Sequence, residues 1–249
     1  MGIYEGFAQF FAKGNYPAYS QRMADALPSL LQELGSKPLD MLDIACGEGT
    51  FAVAMAKRGF RVAGIDQSAV MLQFAKAKAR REGVQVSFHQ QDMRHLSLRQ
   101  QFDLVTCWFD SLNYLLDLKD VQATFDGVAR ALRPTGLFIF DVNTIHRLNL
   151  LARRYACVVE RETSDVFQVH RHTYNAERNI ATFHIVAFAK ENGHWNRTEE
   201  IHQERGYTPE ELRTCLRHAR LSERACWDHL QERSPPTAKS RRLYFVAQK

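Results

Sequence analysis

Apolar residues in this chain fall in short blocks whose spacing changes along the sequence. Met41-Leu42-Asp43-Ile44-Ala45 is a nearly continuous apolar run of strand length, as expected of a strand buried on both faces. Gly47 and Gly49 punctuate it, and Phe51-Ala52-Val53-Ala54-Met55-Ala56 starts a helix. The spacing predicts strand 40–45, helix 49–58, strand 61–65 and helix 68–82. Ser68 caps the last helix, Met71, Leu72 and Ala75 face inward, and Gly83 ends it. Strand 84–89 puts Val84, Val86 and Phe88 on one face. Strand 103–108 and helix 119–132 follow, then a turn at Arg133-Pro134-Thr135-Gly136 and strand 137–142. Strands alternating with helices predict an α/β, doubly wound fold.

Ahead of this core, residues 1–38 form a helical lead-in. Met23, Ala26, Leu27, Leu30, Leu31 and Leu34 recur at helical spacing, and Gly35 stops them. Pro28 is expected to kink or split that helix. Tyr4, Phe7, Phe10, Phe11, Tyr16 and Tyr19 make an aromatic cluster before it. After strand 137–142 the period switches to two. A short helix at 146–153 leads to four strand-like runs, 156–162, 165–174, 179–190 and 195–205, joined by Asn175-Ala176-Glu177-Arg178 and Glu191-Asn192-Gly193-His194. This is an antiparallel meander spanning 145–207. Six of the ten histidines lie between 145 and 207, five of them from His170 onward, and His170 and His172 share one face of their strand. Thr208-Pro209-Glu210-Glu211 starts another helix, with Leu212, Cys215, Leu216 and Ala219 as its buried stripe. Strands near 222–228 and 242–247, separated by a Ser234-Pro235-Pro236-Thr237 loop, return to the core.

A chain of 249 residues with 45% hydrophobic and 24% charged positions can bury a full core. No apolar run approaches the roughly 20 residues of a membrane span. Met1-Gly2-Ile3-Tyr4-Glu5 lacks the layout of a signal peptide, and five scattered cysteines without a C-x-x-C pair suit reduced thiols, so a cytoplasmic location is expected. The net charge of +5 is uneven. Residues 1–144 carry 15 basic and 15 acidic side chains, and residues 145–249 carry 18 and 13. The excess suits an acidic group on a substrate or partner of the C-terminal part.

The chemistry begins at Gly47 and Gly49. Without Cβ atoms they let a ligand lie against the backbone. Asp66, at the end of the second strand and 19 residues after Gly47, is placed to accept from both ribose hydroxyls of an adenosine. Two such bonds are worth roughly 2–4 kcal/mol. The frame Ala45-x-Gly47-x-Gly49 lacks the third glycine of a dinucleotide fingerprint, and no Walker lysine follows. The loop suits adenosine joined to something other than phosphate.

Leu42-Asp43-Ile44-Ala45-Cys46-Gly47-Glu48-Gly49 resembles the first motif of class I S-adenosylmethionine-dependent methyltransferases. Gly64-Ile65-Asp66-Gln67-Ser68, Gln91-Asp92-Met93, Phe102-Asp103-Leu104-Val105 and Leu132-Arg133-Pro134-Thr135-Gly136-Leu137 match the family's later motifs in order. The resemblance covers residues 38–144 most strongly. Ala45 stands where the family usually has glycine, which a negative φ would accommodate.

The resemblance implies a Rossmann-like, seven-stranded mixed sheet with its final strand antiparallel, and an antiparallel β cap inserted after strand five, over the acceptor site. The core is then 39–144 with 208–249, and the cap 145–207. S-adenosylmethionine is the implied cofactor, held by Asp43, Ala45, Gly47, Gly49, Asp66, Gln67, Asp92, Met93 and Trp108, with Tyr19 near its methionine end. Asp92 is expected to accept from the adenine amino group and the backbone beside it to read the ring edge. Asp110-Ser111-Leu112-Asn113-Tyr114 resembles a segment of small-molecule N- and O-methyltransferases, amino-sugar enzymes included. Asp110 and Asp141, at the carboxyl ends of strands four and five, are the acceptor-pocket candidates, and His184 and His202 in the cap are candidate bases.

Transfer from a sulfonium needs an in-line nucleophile and exclusion of water, and a base only where the acceptor arrives protonated. The acceptor expected is therefore a small molecule methylated on N or O, with an acidic group compatible. Nucleic acid is disfavoured, a membrane partner is not expected, no metal is expected, and a homodimer is left open. An RNA or protein methyltransferase and a non-catalytic cofactor-binding protein are the alternatives.

Overall fold

The computed structural model describes residues 4, 6–13, 16–191 and 193–249. The reading of Met1–Glu5 and the tip of the turn at Asn192 lie partly or wholly outside them. Seven strands form one sheet: β1 (Asp40–Ile44), β2 (Arg61–Asp66), β3 (Val86–Gln90), β4 (Phe102–Cys107), β5 (Leu132–Asn143), β10 (Ser222–Trp227) and β11 (Arg242–Gln248), in the order β10-β11-β5-β4-β1-β2-β3. β1 pairs in parallel with β2 on one side and β4 on the other. The strand order reverses there, and the carboxyl ends of β1 and β4 splay into a crevice. β11 runs antiparallel to both β5 and β10, so the sheet is mixed.

All five residues of β1 are buried, because helices cover both sheet faces. On one face α5 (Leu118–Ala131) and α7 (Pro209–His218) enclose Leu42, Ile44, Phe138 and Phe140. On the other, α2 (Pro17–Glu33) and α3 (Thr50–Lys57) enclose Met41, Leu104, Ile139 and Val246. The α2 helix runs through Pro28 without splitting. Burial of Leu27, Leu30 and Leu31, at about 1.5–3 kcal/mol per fully buried side chain, offsets the lost backbone bond. The turn expected at Arg133-Pro134-Thr135-Gly136 is instead an irregular first stretch of β5, with Thr135 at φ +66.

The second sheet is the predicted meander: β6 (Cys157–Glu162), β7 (Val166–Asn175), β8 (Ile180–Glu191) and β9 (His194–Arg205), each antiparallel to the next. Helix α6 (Ile145–Arg154) leads into it. Register pairs Phe183 with His202 and Ile185 with Glu200, and also His170 with Ile185. Gln168, His170, His172, Glu200, His202 and Glu204 all lie on the buried face. The helix α1 (Ala8–Lys13) closes the space between the sheets, since Phe7, Phe10 and Phe11 cluster with Ile185 and Ala187 of the cap and Met71 of α4 (Ala69–Arg81).

Candidate active site

Asp43, Ala45, Gly47, Asp66, Gln67, Asp92, Met93 and Trp108 line one cavity of about 250 Å³ at the carboxyl ends of β1, β2 and β4. Gly47 has φ +56, and a Cβ there would meet only the Met71 methyl at 3.7 Å, so the backbone faces open space. The Gly47 N–H donates to Asp66 Oδ2 at 2.9 Å and the Ser68 N–H to Oδ1 at 2.8 Å. Those bonds aim the carboxylate and leave lone pairs for further donors. Burial raises the Asp66 pKa against the pull of the Ser68, Gly47 and Gln67 N–H groups. Burial also pushes the Asp43 carboxyl up to about 8, opposed by the Thr106 hydroxyl at 2.9 Å. Asp92 is held in a two-pronged ion pair by Arg94, which keeps its carboxyl below the ordinary value despite partial burial. The Trp108 indole N–H is buried with no hydrogen-bond partner among the described residues. A left-handed glycine, an aimed acid and an orphaned donor on one wall fit an adenosyl group carrying polar ends.

Three residues of the expected cofactor set differ from expectation, Ala45 in backbone angle alone and Gly49 and Tyr19 in position. Ala45 has φ +54 rather than a negative angle. An L-residue there bears about 1–2 kcal/mol of backbone strain, and the tight turn out of β1 imposes it. Gly49 lies outside the cavity. It caps α3 at φ +82, and a Cβ would come within 2.8 Å of Ala75 Cβ, so this glycine lets α3 and α4 approach. Tyr19 also lies outside it. Its ring stacks on Phe109 at 4.7 Å between centroids, with the Arg242 guanidinium 4.8 Å from its centre.

A second chamber of about 200 Å³ adjoins the first, and Tyr4, Phe11, Phe109 and Tyr114 line both. Its floor is the segment after β4. Phe109 and Asp110 have φ +61 and +53, two strained residues in succession at the crevice. Asp141 holds them there, accepting from the Phe109 N–H at 2.6 Å and the Asp110 N–H at 3.2 Å while ion-paired to Arg242. Asp141 is fully buried and lines neither chamber, so its expected place in the acceptor pocket is corrected to a brace beneath the floor.

Asp110 does reach the chamber. Arg242 donates to its Oδ1 at 2.9 Å and Asn143 Nδ2 to its Oδ2 at 2.9 Å. Asn143 Nδ2 also donates to Glu204 at 2.8 Å, and burial beside Asp110 raises the Glu204 pKa far above its ordinary value. Asp110 and Asp141 thus share the single guanidinium of Arg242.

His202 lines the chamber, but His184 does not. His184 pairs in register with exposed Ile201 and contacts Glu199 on the outer face of the cap. The two-residue period of a strand separates them: odd positions of β8 face inward and His184 is even. At the chamber's outer side Tyr16, Phe109 and Glu160 open into a mouth of about 410 Å³, where Arg22, Arg147, Arg161 and Arg242 converge. Arg22 and Arg147 form no ion pair among the described residues. Those residues hold no group of three or more histidine, cysteine, aspartate or glutamate side chains suited to a metal, and none of their helices is long and apolar enough to cross a membrane.

The fold and cleft define a Rossmann-like methyltransferase. Residues 41–136 match the methyltransferase domain family. The chain is 32% identical over 251 residues to the "Putative methyltransferase YqeM" of Bacillus subtilis (strain 168), covering 99% of this chain and 97% of the relative. It superposes on the crystal structure of an S-adenosylmethionine-dependent methyltransferase from Clostridium acetobutylicum ATCC 824 with a TM-score of 0.83, at 25% identity and 99% coverage of both chains. Over 129 residues, 52% of this chain and 49% of the relative, it is 32% identical to a dTDP-3-amino-3,6-dideoxy-alpha-D-glucopyranose N,N-dimethyltransferase of Streptomyces fradiae. The chain belongs to the S-adenosylmethionine-dependent methyltransferases, and S-adenosylmethionine is its cofactor.

Tyr4, Asn143, Glu200, Glu204 and Arg242 join the site without having been singled out as site residues in the sequence. For two of them a signal was present: Glu200-x-His202-x-Glu204 is a polar stripe on one strand face. Arg242 carries none, since only strand pairing brings it to Asp141.

Proposed function

We propose that this enzyme methylates the nitrogen of a small-molecule amine bound in the inner chamber. The observation that carries this reading is that two carboxyl groups, Asp110 in the chamber and Asp141 beneath it, share one guanidinium, Arg242, next to the cofactor cleft. An ammonium or amine is attracted there, whereas a carboxylate is repelled. The cofactor cleft would be filled by S-adenosylmethionine against Gly47, Asp66 and Asp92, and the bound sulfonium supplies the methyl group. Asp110 orients the nitrogen, and the aromatic wall and the cap exclude water. His202, through the Tyr114 hydroxyl 2.9 Å from its Nδ1, is the candidate final acceptor of the nitrogen's proton.

The arginine mouth supports an acidic group elsewhere on the acceptor, since planar guanidinium groups suit phosphate or carboxylate. All five cysteines are unpaired, which supports action in a reducing cytosol. The test is mass-spectrometric detection of a methyl gain after incubation with S-adenosylmethionine and paired probes: 2-aminoethyl phosphate and amino-sugar phosphates, each beside its hydroxyl analogue. Amine probes are expected to react, and Asp110→Asn to lower turnover about tenfold or more with S-adenosylhomocysteine affinity unchanged. Methylation of the hydroxyl analogues alone would overturn the reading.

A further inference from the structure

A chain of hydrogen bonds crosses the inner chamber and ties the N-terminal segment to the cap. Glu200 Oε1 accepts from the Gly6 and Phe7 N–H groups at 2.8 Å each, and Oε2 from the Tyr4 N–H at 2.9 Å. Oε2 also lies 2.8 Å from His202 Nε2. His202 Nδ1 is 2.9 Å from the Tyr114 hydroxyl, which is 2.9 Å from the Tyr4 hydroxyl. Burial pushes the Glu200 carboxyl up, but the bonds from His202, Tyr4 and Phe7 outweigh it and hold it below the usual range.

An ionised Glu200 can only accept, so Nε2 carries the imidazole proton and Nδ1 is left to accept from Tyr114. Both ring nitrogens are thus engaged. His202 has no free nitrogen for a direct approach to an acceptor, and Tyr114 lines both chambers where His202 lines one.

We propose that Tyr114, His202 and Glu200 form the route by which the acceptor gives up its proton, with Tyr114 as the catalytic group, His202 as the proton store and Glu200 as the positioning residue. This rests on the inner chamber being the acceptor site. The acceptor's proton passes to the Tyr114 oxygen as the phenolic proton passes to His202 Nδ1, and the imidazolium is held by Glu200. The lone pair so freed forms the bond to the methyl carbon while the carbon–sulfur bond breaks with its electron pair left on sulfur. The proton leaves His202 for solvent after product release. The three backbone N–H groups on Glu200 belong to Tyr4, Gly6 and Phe7, and Tyr4 also lines the cofactor cleft. The relay is therefore complete only when that segment is docked.

The groups facing His202 are Tyr4, edge-on at 4.9 Å, Tyr114, Glu200 and Glu204 along its own strand, and His170 from β7. Asp110 lines the same chamber. Burial, with His172 and His202 as like neighbours, pushes the His170 pKa down to about 4, so it stays neutral.

The first readout needs no acceptor. Histidine ring 15N spectra of the full chain saturated with S-adenosylhomocysteine are expected to show neutral His202 protonated on Nε2, and a loss of that preference in Glu200→Gln. A proton on Nδ1 overturns the relay, because Tyr114 then has nothing to donate to. The second readout is turnover with the amine and hydroxyl probes. Tyr114→Phe is expected to lower kcat about 100-fold with S-adenosylhomocysteine affinity within about twofold of wild type. Glu200→Gln is expected to move the acid limb of the rate profile to lower pH, since the carboxylate that stabilises the imidazolium is gone. A residue that only braces the chamber would alter Tm or KM and leave that limb in place. Wild-type kcat and pH profile in Tyr114→Phe overturn the proposal. Reaction of hydroxyl probes alone defeats the amine reading and leaves the relay to be judged on those probes.

Discussion

Asp43 and Asp66 both lie in the cofactor cleft, but burial treats them differently. Asp66 is steadied by two backbone N–H groups, whereas Asp43 has one hydroxyl partner and a pKa pushed to about 8. The consequence for stability has a definite sign. Between pH 4 and 8 an unfolded Asp43 has lost its proton and the folded one keeps it, so the folded state binds more protons and loses stability as pH rises through that window. Asp43→Asn does not titrate. Its stability relative to wild type, measured by denaturant unfolding without ligand, is expected to improve steadily from pH 4.5 to pH 7.5. Parallel pH profiles for the two proteins would show that Asp43 ionises normally. Arg242 illustrates the opposite case: burial disfavours its charge, and Asp110 more than restores it.

At the scale of elements, the glycine turn has divided labour. Gly47 opens the backbone to the cleft, while Gly49 sets the distance between α3 and α4. Gly49→Ala must push Ala75 back and hold an L-residue at φ +82. Overpacking of this kind costs about 1–3 kcal/mol, and the expected result is a lowered Tm with S-adenosylhomocysteine affinity reduced only by the shift in α3. An unchanged Tm would mean that α4 moves freely. The cap shows a similar division by parity. Its inner face carries Gln168, His170, His172, Glu200, His202 and Glu204, and its outer face carries His184 and Ile201.

For the whole molecule, the cofactor cleft lies between the carboxyl edge of the large sheet and the N-terminal segment, which itself packs on the cap, so binding there joins parts that are distant in sequence. Phe7 and Phe11 touch the cap through Ile185 and Ala187 and the core through Met71. S-adenosylhomocysteine at 100 times its dissociation constant is expected to stabilise the folded chain by about 2.7 kcal/mol. Thermal denaturation would register this as a rise in Tm, with none from NAD, for which the loop lacks the third glycine. A response to NAD alone would contradict the assignment of the Gly47 loop.

Much of this was legible in the sequence because the signals are local. A buried apolar run, two glycines and an acid at a strand end specify the cofactor half of the fold, and period-two runs specify the meander. Each depends only on how side chains project from a helix or strand. Tertiary structure alone decided the rest. The pairing of β11 with β5 delivers Arg242 to Asp110 and Asp141, turning one expected acceptor ligand into a buried brace. Register in the cap chose His202 over His184. Docking of Tyr4, Gly6 and Phe7 on Glu200 built the relay. These contacts join positions about 20 to 200 apart, and no periodicity within a short window encodes which distant surfaces will meet.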